Sequence, residues 1–423
     1  MPLGVISLDR PFAKYVLAGV LCIMAVLCFY ASKWNFANAA SARTDVPEAA
    51  LALGYVSPDD PQTHYASAVL LGRQFDADST QRSIDEYKLS AEMSPNNYLI
   101  WMALARAYDL NGDTELAGAA YEKALDLAPN YADVRWALGN HNLRSGSNDT
   151  DAFRMIASAV SARPGYAGPA VMVAMQASNG DPGRARSLIG NTPTINAALA
   201  QYLITEKRLD QAFAVWNELP SELRSSEYKG IGEALVGDAV SEKRYRIAAQ
   251  ASGDIGIDPK PVVGAITNGG FESAVKPEGS GTFDWHIPAG SDPQISLSDN
   301  SHSGHASLWF IFNSARASDF RSVDQLTAVE PGARYRLTMF YRSQLRTDAG
   351  IRFEIVNLAG KPIGTTPQFG LNAEWLPIEA SFTAPSDVDA VRVRLVHDDC
   401  KKGSDCSIAG KLWLDDISLV KDQ

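Results

Sequence analysis

Residues 98–131 read YLIWMALARAYDLNGDTELAGAAYEKALDLAPNY, and the apolar positions of these 34 residues fall into two helical stripes. Trp101, Leu104, Ala105 and Tyr108 recur at i, i+3, i+4 and i+7, the spacing of one face of a helix. Gly112 follows as a turn, a second stripe runs through Ala117, Tyr121 and Ala124, and Pro129 closes the unit. Small residues on both stripes let two antiparallel helices approach closely, and the aromatic residues fill the space between them.

At its diagnostic positions this stretch resembles the tetratricopeptide repeat. One period earlier, Leu70, Tyr87, Ala91 and Pro95 keep the pattern; one period later, Leu138, Gly139, Ala152, Ala159 and Pro164 keep it with an extra residue in the SGSND turn. Residues 196–220 look like a degenerate hairpin with Ala212 and Trp216 in packing positions and Pro220 closing it. Repeats thus cover residues 62–250, enough units to bury a continuous core. The resemblance implies a protein or peptide partner in a concave groove lined by Tyr65, Met102, Arg106, Trp136 and Asn140. The other reading is that these residues pack against neighbouring repeats or the C-terminal domain.

The composition then changes. Residues 252–270, SGDIGIDPKPVVGAITNGG, hold five Gly and two Pro in nineteen residues, which reads as a linker leading to a turn. Beyond it SLWFIF, YRLTMFYR, IRFEIVN, VRVRLV and KLWLDDISL alternate with period two, the pattern of an antiparallel sandwich. The expected fold class is multidomain α + β: an α-helical solenoid, then an antiparallel β-sandwich (jelly roll), with one N-terminal transmembrane helix.

NGGFE (268–272), FDW (283–285), SGHASLWF (303–310), PGARYRLTMFYR (331–342), Trp375 before IEASFTAP, and LWLDDISL (412–419) resemble, in order, the galactose-binding-like jelly-roll carbohydrate-binding modules of families 4 and 9. The alternation sends Tyr335, Leu337, Met339 and Tyr341 inward, and Arg336, Thr338, Phe340 and Arg342 outward. Arg352, Glu354, Arg392, Arg394 and Trp413 point outward by the same logic. Aromatic rings stack on pyranose faces and Arg forks grip carboxylates, so Phe340, Trp413, Arg336, Arg342 and Arg394 are expected to bind an acidic polysaccharide. The alternative is that the arginines pair with Asp and Glu on a solvated sheet. Trp285 and Trp309 are read as core. The resemblance also implies a structural calcium near the chain ends, with Glu272 and Asp416 at the family's positions and Asp299 adding an oxygen.

The apolar run YVLAGVLCIMAVLCFYAS, between Lys14 and Lys33, has eighteen uncharged residues, about the minimum for a bilayer span. Tyr15, Tyr30 and Trp34 mark its ends. An uncleaved anchor is expected; the rival is a signal peptide cut at Ala37-Asn38-Ala39 or Ala40-Ser41-Ala42. Cys22 and Cys28 lie within the run. Cys400 and Cys406 form a C-x5-C pair between strand-like runs, expected as a disulfide in an oxidising compartment, against two free thiols in a cytosolic loop. The bulk of the chain is therefore expected outside the cytoplasm.

The domain reading is a short segment 1–14, a membrane helix 15–34, a linker 35–61, repeats 62–250, a linker 251–264 and the sandwich 265–423. A net charge of −11 without a concentrated basic face argues against nucleic acid. Glycosidase chemistry needs two carboxylates about 5 to 10 Å apart, whereas Asp415 and Asp416, adjacent on a strand, are expected to diverge. His302 and His305 lie in a Gly-Ser loop without a nearby acidic or Cys cluster, so no metal site is expected there, and neither a G-x-S-x-G nor a P-loop pattern is present. The expectation is a non-enzymatic, membrane-anchored envelope scaffold that binds a protein and a polysaccharide. The alternatives are a pure assembly adaptor with a structural sandwich, or a secreted carbohydrate-active accessory protein.

Overall fold

The computed structural model describes residues 11–422 apart from 75, 147–148, 277–280, 316–319, 348–349 and 399–406. It divides into two compact units, Met1–Asn191 and Thr192–Gln423.

The first unit is helical: α1 (Pro11–Ser41), α2 (Pro47–Val56), α3 (Pro61–Leu71), α4 (Ala77–Met93), α5 (Tyr98–Asn111), α6 (Thr114–Leu127), α7 (Ala132–Ser145), α8 (Asp149–Ala162), α9 (Ala167–Ala177) and α10 (Pro182–Ile189). The period read at 98–131 is the α5–α6 hairpin. Ala105, Ala117 and Ala124 are sealed from solvent, and Tyr108 and Tyr121 are buried with them. Asn97 caps α5 by accepting from the Leu99 amide at 3.1 Å. Gly112, at φ 87°, ends the helix in the left-handed conformation that glycine adopts without a Cβ penalty. One repeat on, a Cβ on Gly139 would meet Ile156 Cγ1 at 2.9 Å and the Ala152 carbonyl at 3.0 Å, so the small residue sets how closely α7 and α8 approach.

Helix α1 outlasts its apolar run. Phe12–Ser41 is long and apolar enough to cross a membrane, but Ala37 and Ser41 are buried. The Asn38 side chain donates to Asp60 at 3.2 Å, and Asp60 caps α3 by accepting from the Gln62 amide. The expected linker 35–61 is therefore corrected: it is the end of α1 plus α2, helical because its Ala-rich sequence has a buried surface to cover.

His64, buried on α3, has both ring nitrogens on acceptors: Nδ1 lies 2.6 Å from Glu86 Oε2 and Nε2 lies 3.0 Å from the Pro58 carbonyl. Only the imidazolium donates to both. The Glu86 carboxylate is the largest cause holding its pKa above the ordinary value; burial opposes it and the Pro58 carbonyl assists it. A raised folded pKa means that this stabilisation is fully present below about pH 6.5, the unfolded value, and is lost as pH rises through the folded value. We expect the first unit to melt at lower temperature as pH rises from about 6.5 through that value, and His64→Gln to flatten the dependence. Calorimetry across that range checks this; an unchanged slope in the variant would refute it.

The second unit begins with α11 (Pro193–Thr205), α12 (Leu209–Asn217), α13 (Ser221–Arg224), α14 (Lys229–Ser241) and α15 (Tyr245–Asp254). Ala212 and Trp216 occupy the packing positions read for the degenerate hairpin and are fully buried. Trp216 Nε1 donates to Asp254 at 3.1 Å. The sandwich follows as β1 (Gln294–Ser298), β2 (Ser307–Ala315), β3 (Asp324–Ala328), β4 (Arg334–Ser343), β5 (Arg346–Thr347), β6 (Ile351–Val356), β7 (Pro362–Thr365), β8 (Asn372–Thr383), β9 (Ala390–His397) and β10 (Ile408–Lys421). One sheet has the order β1-β2-β10-β4-β8 with β5 attached to β10; the other is β3-β9-β6-β7. Every pairing is antiparallel. Phe310, Leu337, Met339, Phe353, Val393 and Leu414 are among the side chains that meet in its core.

The compact boundary falls at 191/192 rather than at the 251–264 linker read from composition. The Asp389 carboxylate ties α15 to the sandwich, accepting from the amides of Tyr245 and Arg246, at 3.2 and 3.1 Å, in the first turn of α15. The Gly264 amide donates to Ala328 at 2.7 Å. A Gly- and Pro-rich stretch signals a turn chemistry, and here that turn is pinned in place.

Candidate functional site

The five groove candidates of the first unit separate into two kinds. Met102 is buried against Ala124, Ala128 and Val134. The Trp136 ring stacks on Tyr166 at 4.7 Å and 14°, so its face is already used for packing. Tyr65 is half-buried, edge-on to Tyr87 at 5.7 Å. Arg106 is exposed. Asn140 gives one amide hydrogen to the Trp136 carbonyl at 2.8 Å and borders a cavity of about 440 Å³ with Leu143, Phe153, Val173 and Gln176. The groove reading therefore keeps Arg106 and Asn140 as accessible polar groups, and it is corrected for Met102 and Trp136, which helix packing consumes.

Sequence reading missed a polar joint that links α5, α6 and α7. Asp109, on the last turn of α5, accepts from His141 Nδ1 (2.7 Å), Arg144 (2.6 Å) and Tyr121 Oη (3.2 Å). Burial is the main cause that pushes the Tyr121 phenol up to about 12, so it remains a donor at neutral pH. The signal lay in the repeat period, since Asp109 and His141 sit nearly one repeat apart.

On the sandwich the alternation places Phe340, Arg342, Arg336 and Trp413 on the outer face of the larger sheet, as expected. Register puts Trp309 opposite Trp413 and Trp413 opposite Arg342 on three neighbouring strands. The two indoles stack at 6.1 Å and 13°. The Arg342 guanidinium lies over Trp413 at 5.5 Å, and Lys411 Nζ lies over Trp309 at 5.3 Å. Trp413 itself is only 7% exposed. Trp285 is core, as read. Trp309 is not: its neighbours Leu308 and Phe310 turn inward, so period two turns Trp309 out, where it is half-buried.

The five sugar-binding candidates do not form one site. Arg394 belongs to the other sheet, where it and Arg352 each reach Glu354 at 3.0 Å. Arg392 pairs with Asp324, and Arg352 also pairs with Asp398. Arg336 and Arg334 share Asp422 at 3.3 Å. The ion-paired alternative thus holds for every one of these arginines except Arg342.

Phe340 carries the His302 imidazole flat on its ring, at 3.6 Å and 11°, with Trp375 edge-on to His302 at 5.9 Å. Two expectations are corrected here. His302 does have an acidic neighbour, since its Nδ1 lies 2.6 Å from Asp416 Oδ2. Asp415 and Asp416 do not diverge, because a bulge between Asp415 and Ser418, with Asp416 at φ 47°, breaks the alternation. Both carboxylates hold one loop. Asp415 Oδ2 accepts from the His302 and Ser303 amides at 2.7 and 3.1 Å, and Ser303 Oγ donates to Asp416 Oδ1 at 2.8 Å. Burial pushes the Asp415 carboxyl up, against three backbone N–H groups that hold it down.

The same loop bears on calcium. Glu272 Oε1 accepts from the His305 and Ala306 amides at 2.8 and 3.2 Å. Asp416 is engaged by His302 and Ser303, and Asp299 is exposed. Among the described residues no group of three His, Cys, Asp or Glu side chains could hold a metal. In this arrangement the carboxylates of Glu272 and Asp416 face N–H and O–H donors and clamp the loop. Cys400 and Cys406 lie outside the described residues; Cys22 and Cys28 are free thiols on α1.

Residues 98–131 match the family model of the tetratricopeptide repeat. A search of curated proteins found no match. Among solved structures, the chain is similar to a CBM4 (15% identity, 37% of this chain and 99% of that chain, TM-score 0.28). It is also similar to MamA (15%, 39% and 89%, 0.31) and to YrrB, described as a tetratricopeptide protein with an unusual peptide-binding site (13%, 50% and 92%, 0.27). The chain thus places helices of the tetratricopeptide type before an antiparallel sandwich, behind an N-terminal helix apolar enough to cross a membrane.

Proposed function

We propose that this chain is a membrane-anchored, non-enzymatic adaptor of a bacterial-type cell envelope, holding a protein partner on its repeats and a polysaccharide on its sandwich, in exopolysaccharide synthesis or export. The observation that carries the reading is the continuity of α1. Its apolar part exposes Phe12 to Phe36, and its last turns are packed, with Ala37 and Ser41 buried and Asn38 bonded to Asp60. Cutting at either small-residue site would remove Ala37 and Asn38, and with Asn38 the bond to Asp60 at the capped start of α3. A retained anchor therefore serves both the membrane and the fold, with the bulk of the chain outside the cytoplasm.

Arg106 and Asn140 are the groups through which the groove takes a peptide backbone or acidic side chain. The assembly-only reading draws its support from the smaller sheet, whose outward arginines are all paired with carboxylates.

The test uses the full chain in detergent. Intact mass of the membrane-purified protein is expected to retain residues before Ala40; a new terminus at Ala40 or Arg43 would overturn the anchor. On a glycan array the same preparation is expected to retain acidic polysaccharide. Retention of no glycan, with the repeats still capturing a partner, would leave the assembly reading standing instead.

A further inference from the structure

On the outer face of the larger sheet, the chain leaves the two cations beside the paired indoles without an anion. Among the described residues, Arg342 and Lys411 have no salt-bridge partner, whereas Arg334, Arg336, Arg352, Arg392 and Arg394 all do. Arg342 Nε and Trp309 Nε1 are both sealed from solvent with no hydrogen-bond partner. Buried donors are nearly always satisfied, and an orphan on a native protein calls for an explanation. Here two orphans sit on one face, a single strand apart on either side of Trp413. In a molecule of net charge −11, this is a place where positive charge is left uncompensated.

The geometry around them is flat and linear. Trp309, Trp413 and Arg342 are in register across three adjacent strands, so the row runs perpendicular to the strands for two strand spacings, roughly 10 Å. Trp309 is backed by the parallel Trp413 ring and has Lys411 Nζ over its own ring, so a sugar that stacks on Trp309 displaces that ammonium from the ring. An indole face accepts the C–H face of a pyranose, and the guanidinium fork matches a carboxylate in two parallel bonds. A neutral sugar would use the ring and leave both cations unmatched. An acidic peptide would match the cations and leave the flat ring surface without a planar partner.

We infer that this row is a subsite for a carboxylate-bearing pyranose, a uronic acid unit within an acidic glycan. It stacks on Trp309 and places its carboxylate between Arg342 and Lys411. The inference rests on the sugar-binding part of the proposed function and deepens it by naming the face and the charge of the ligand. Arg342 exchanges its place over Trp413 for the ligand carboxylate, so binding alters the environment of both indoles.

The experiment is titration of the full chain in detergent with an oligogalacturonate, followed by indole fluorescence and by calorimetry. Its fully methyl-esterified form serves as the uncharged counterpart. We expect the acid to bind at least tenfold more tightly than the ester and to shift the emission. Arg342→Gln and Lys411→Gln, at partly exposed positions, should each lose most of that preference while keeping wild-type circular dichroism. Arg336→Gln, whose arginine is paired to Asp422 on the same sheet, should bind as wild type. Equal binding of acid and ester, or wild-type behaviour of Arg342→Gln, overturns the subsite; if some glycan is still retained, the proposed function survives that failure. Tighter binding of poly-glutamate than of the oligogalacturonate would assign the face to an acidic protein instead. Absence of any glycan binding by folded protein overturns both.

Discussion

Gly269→Ala is expected to lower the melting temperature of the second unit by roughly 6 to 12 °C. A Cβ there would lie 1.9 Å from the Ile417 carbonyl oxygen and 3.0 Å from its carbon. Neither chain segment can retreat freely, because the Ile417 amide donates back to the Gly269 carbonyl at 2.9 Å. On the next turn, Asn268 grips Ser273 through both side-chain atoms, and Trp285 Nε1 donates to the Asn268 carbonyl. Phe271 is fully buried beneath. Overpacking a rigid site costs about 1 to 3 kcal/mol, and losing the bond to Ile417 adds about 1. At about 2 to 4 °C per kcal/mol for a unit of this size, a total near 3 kcal/mol gives the stated shift. The neighbouring Gly270 is the control, since its added Cβ meets nothing nearer than Asp416 Oδ1 at 3.8 Å. Scanning calorimetry of both variants decides the matter: equal shifts would show that the clash is relieved elsewhere.

Removing the Asp415 carboxylate should be nearly as damaging. It is fully buried and accepts three backbone N–H bonds, from His302, Ser303 and Asp416. Leaving donors unpaired costs about 1 to 3 kcal/mol for a buried group, partly recovered by water because the loop is exposed, so Asp415→Ala should lose about 2 to 3 kcal/mol. Asp415→Asn is not expected to rescue it, because one of the two acceptor positions becomes an NH2 facing an N–H donor. Amide exchange at His302 and Ser303 separates a local from a global effect. Exchange should accelerate at least tenfold there in both variants, and the His302 ring should leave Phe340. Unchanged protection at those two amides would mean that the loop is held by Glu272 and Asp416 alone.

Much of the fold was legible because it rests on local periodicity. The 34-residue unit around Trp101 and Tyr121 was readable from helix spacing and a terminal glycine. The strand runs were readable from alternation, which also placed Tyr335, Leu337, Met339 and Tyr341 inward and Phe340 outward. Capping and small-residue contacts at Gly112 and Gly139 follow from the same short-range rules. The linker assignments fell short where composition stood in for contact: 35–41 and 47–56 are helical, with Ala37, Ser41 and Ala50 buried.

The candidate site was legible in type and not in membership. Alternation states that Arg336, Arg342 and Arg394 point out of a sheet, but it does not say which sheet or which carboxylate each meets. Ion pairing depends on residues far apart in sequence, such as Arg394 with Glu354 and Arg336 with Asp422. Trp309 was read as core, whereas the inward turn of Leu308 and Phe310 leaves it half-buried on the outer face, in register with Trp413.

The sequence by itself determined that this chain is helical repeats followed by an antiparallel sandwich behind an apolar helix, because each of those statements depends on the spacing of residues within one helix or one strand. Tertiary structure alone decided which indoles lie together, which arginine is left without a carboxylate, that a bulge brings Asp415 and Asp416 onto one loop, and that the last five helices belong with the sandwich. Those outcomes depend on strand order and register, which bring together residues as far apart as Trp309, Arg342 and Trp413. No local pattern encodes that distance.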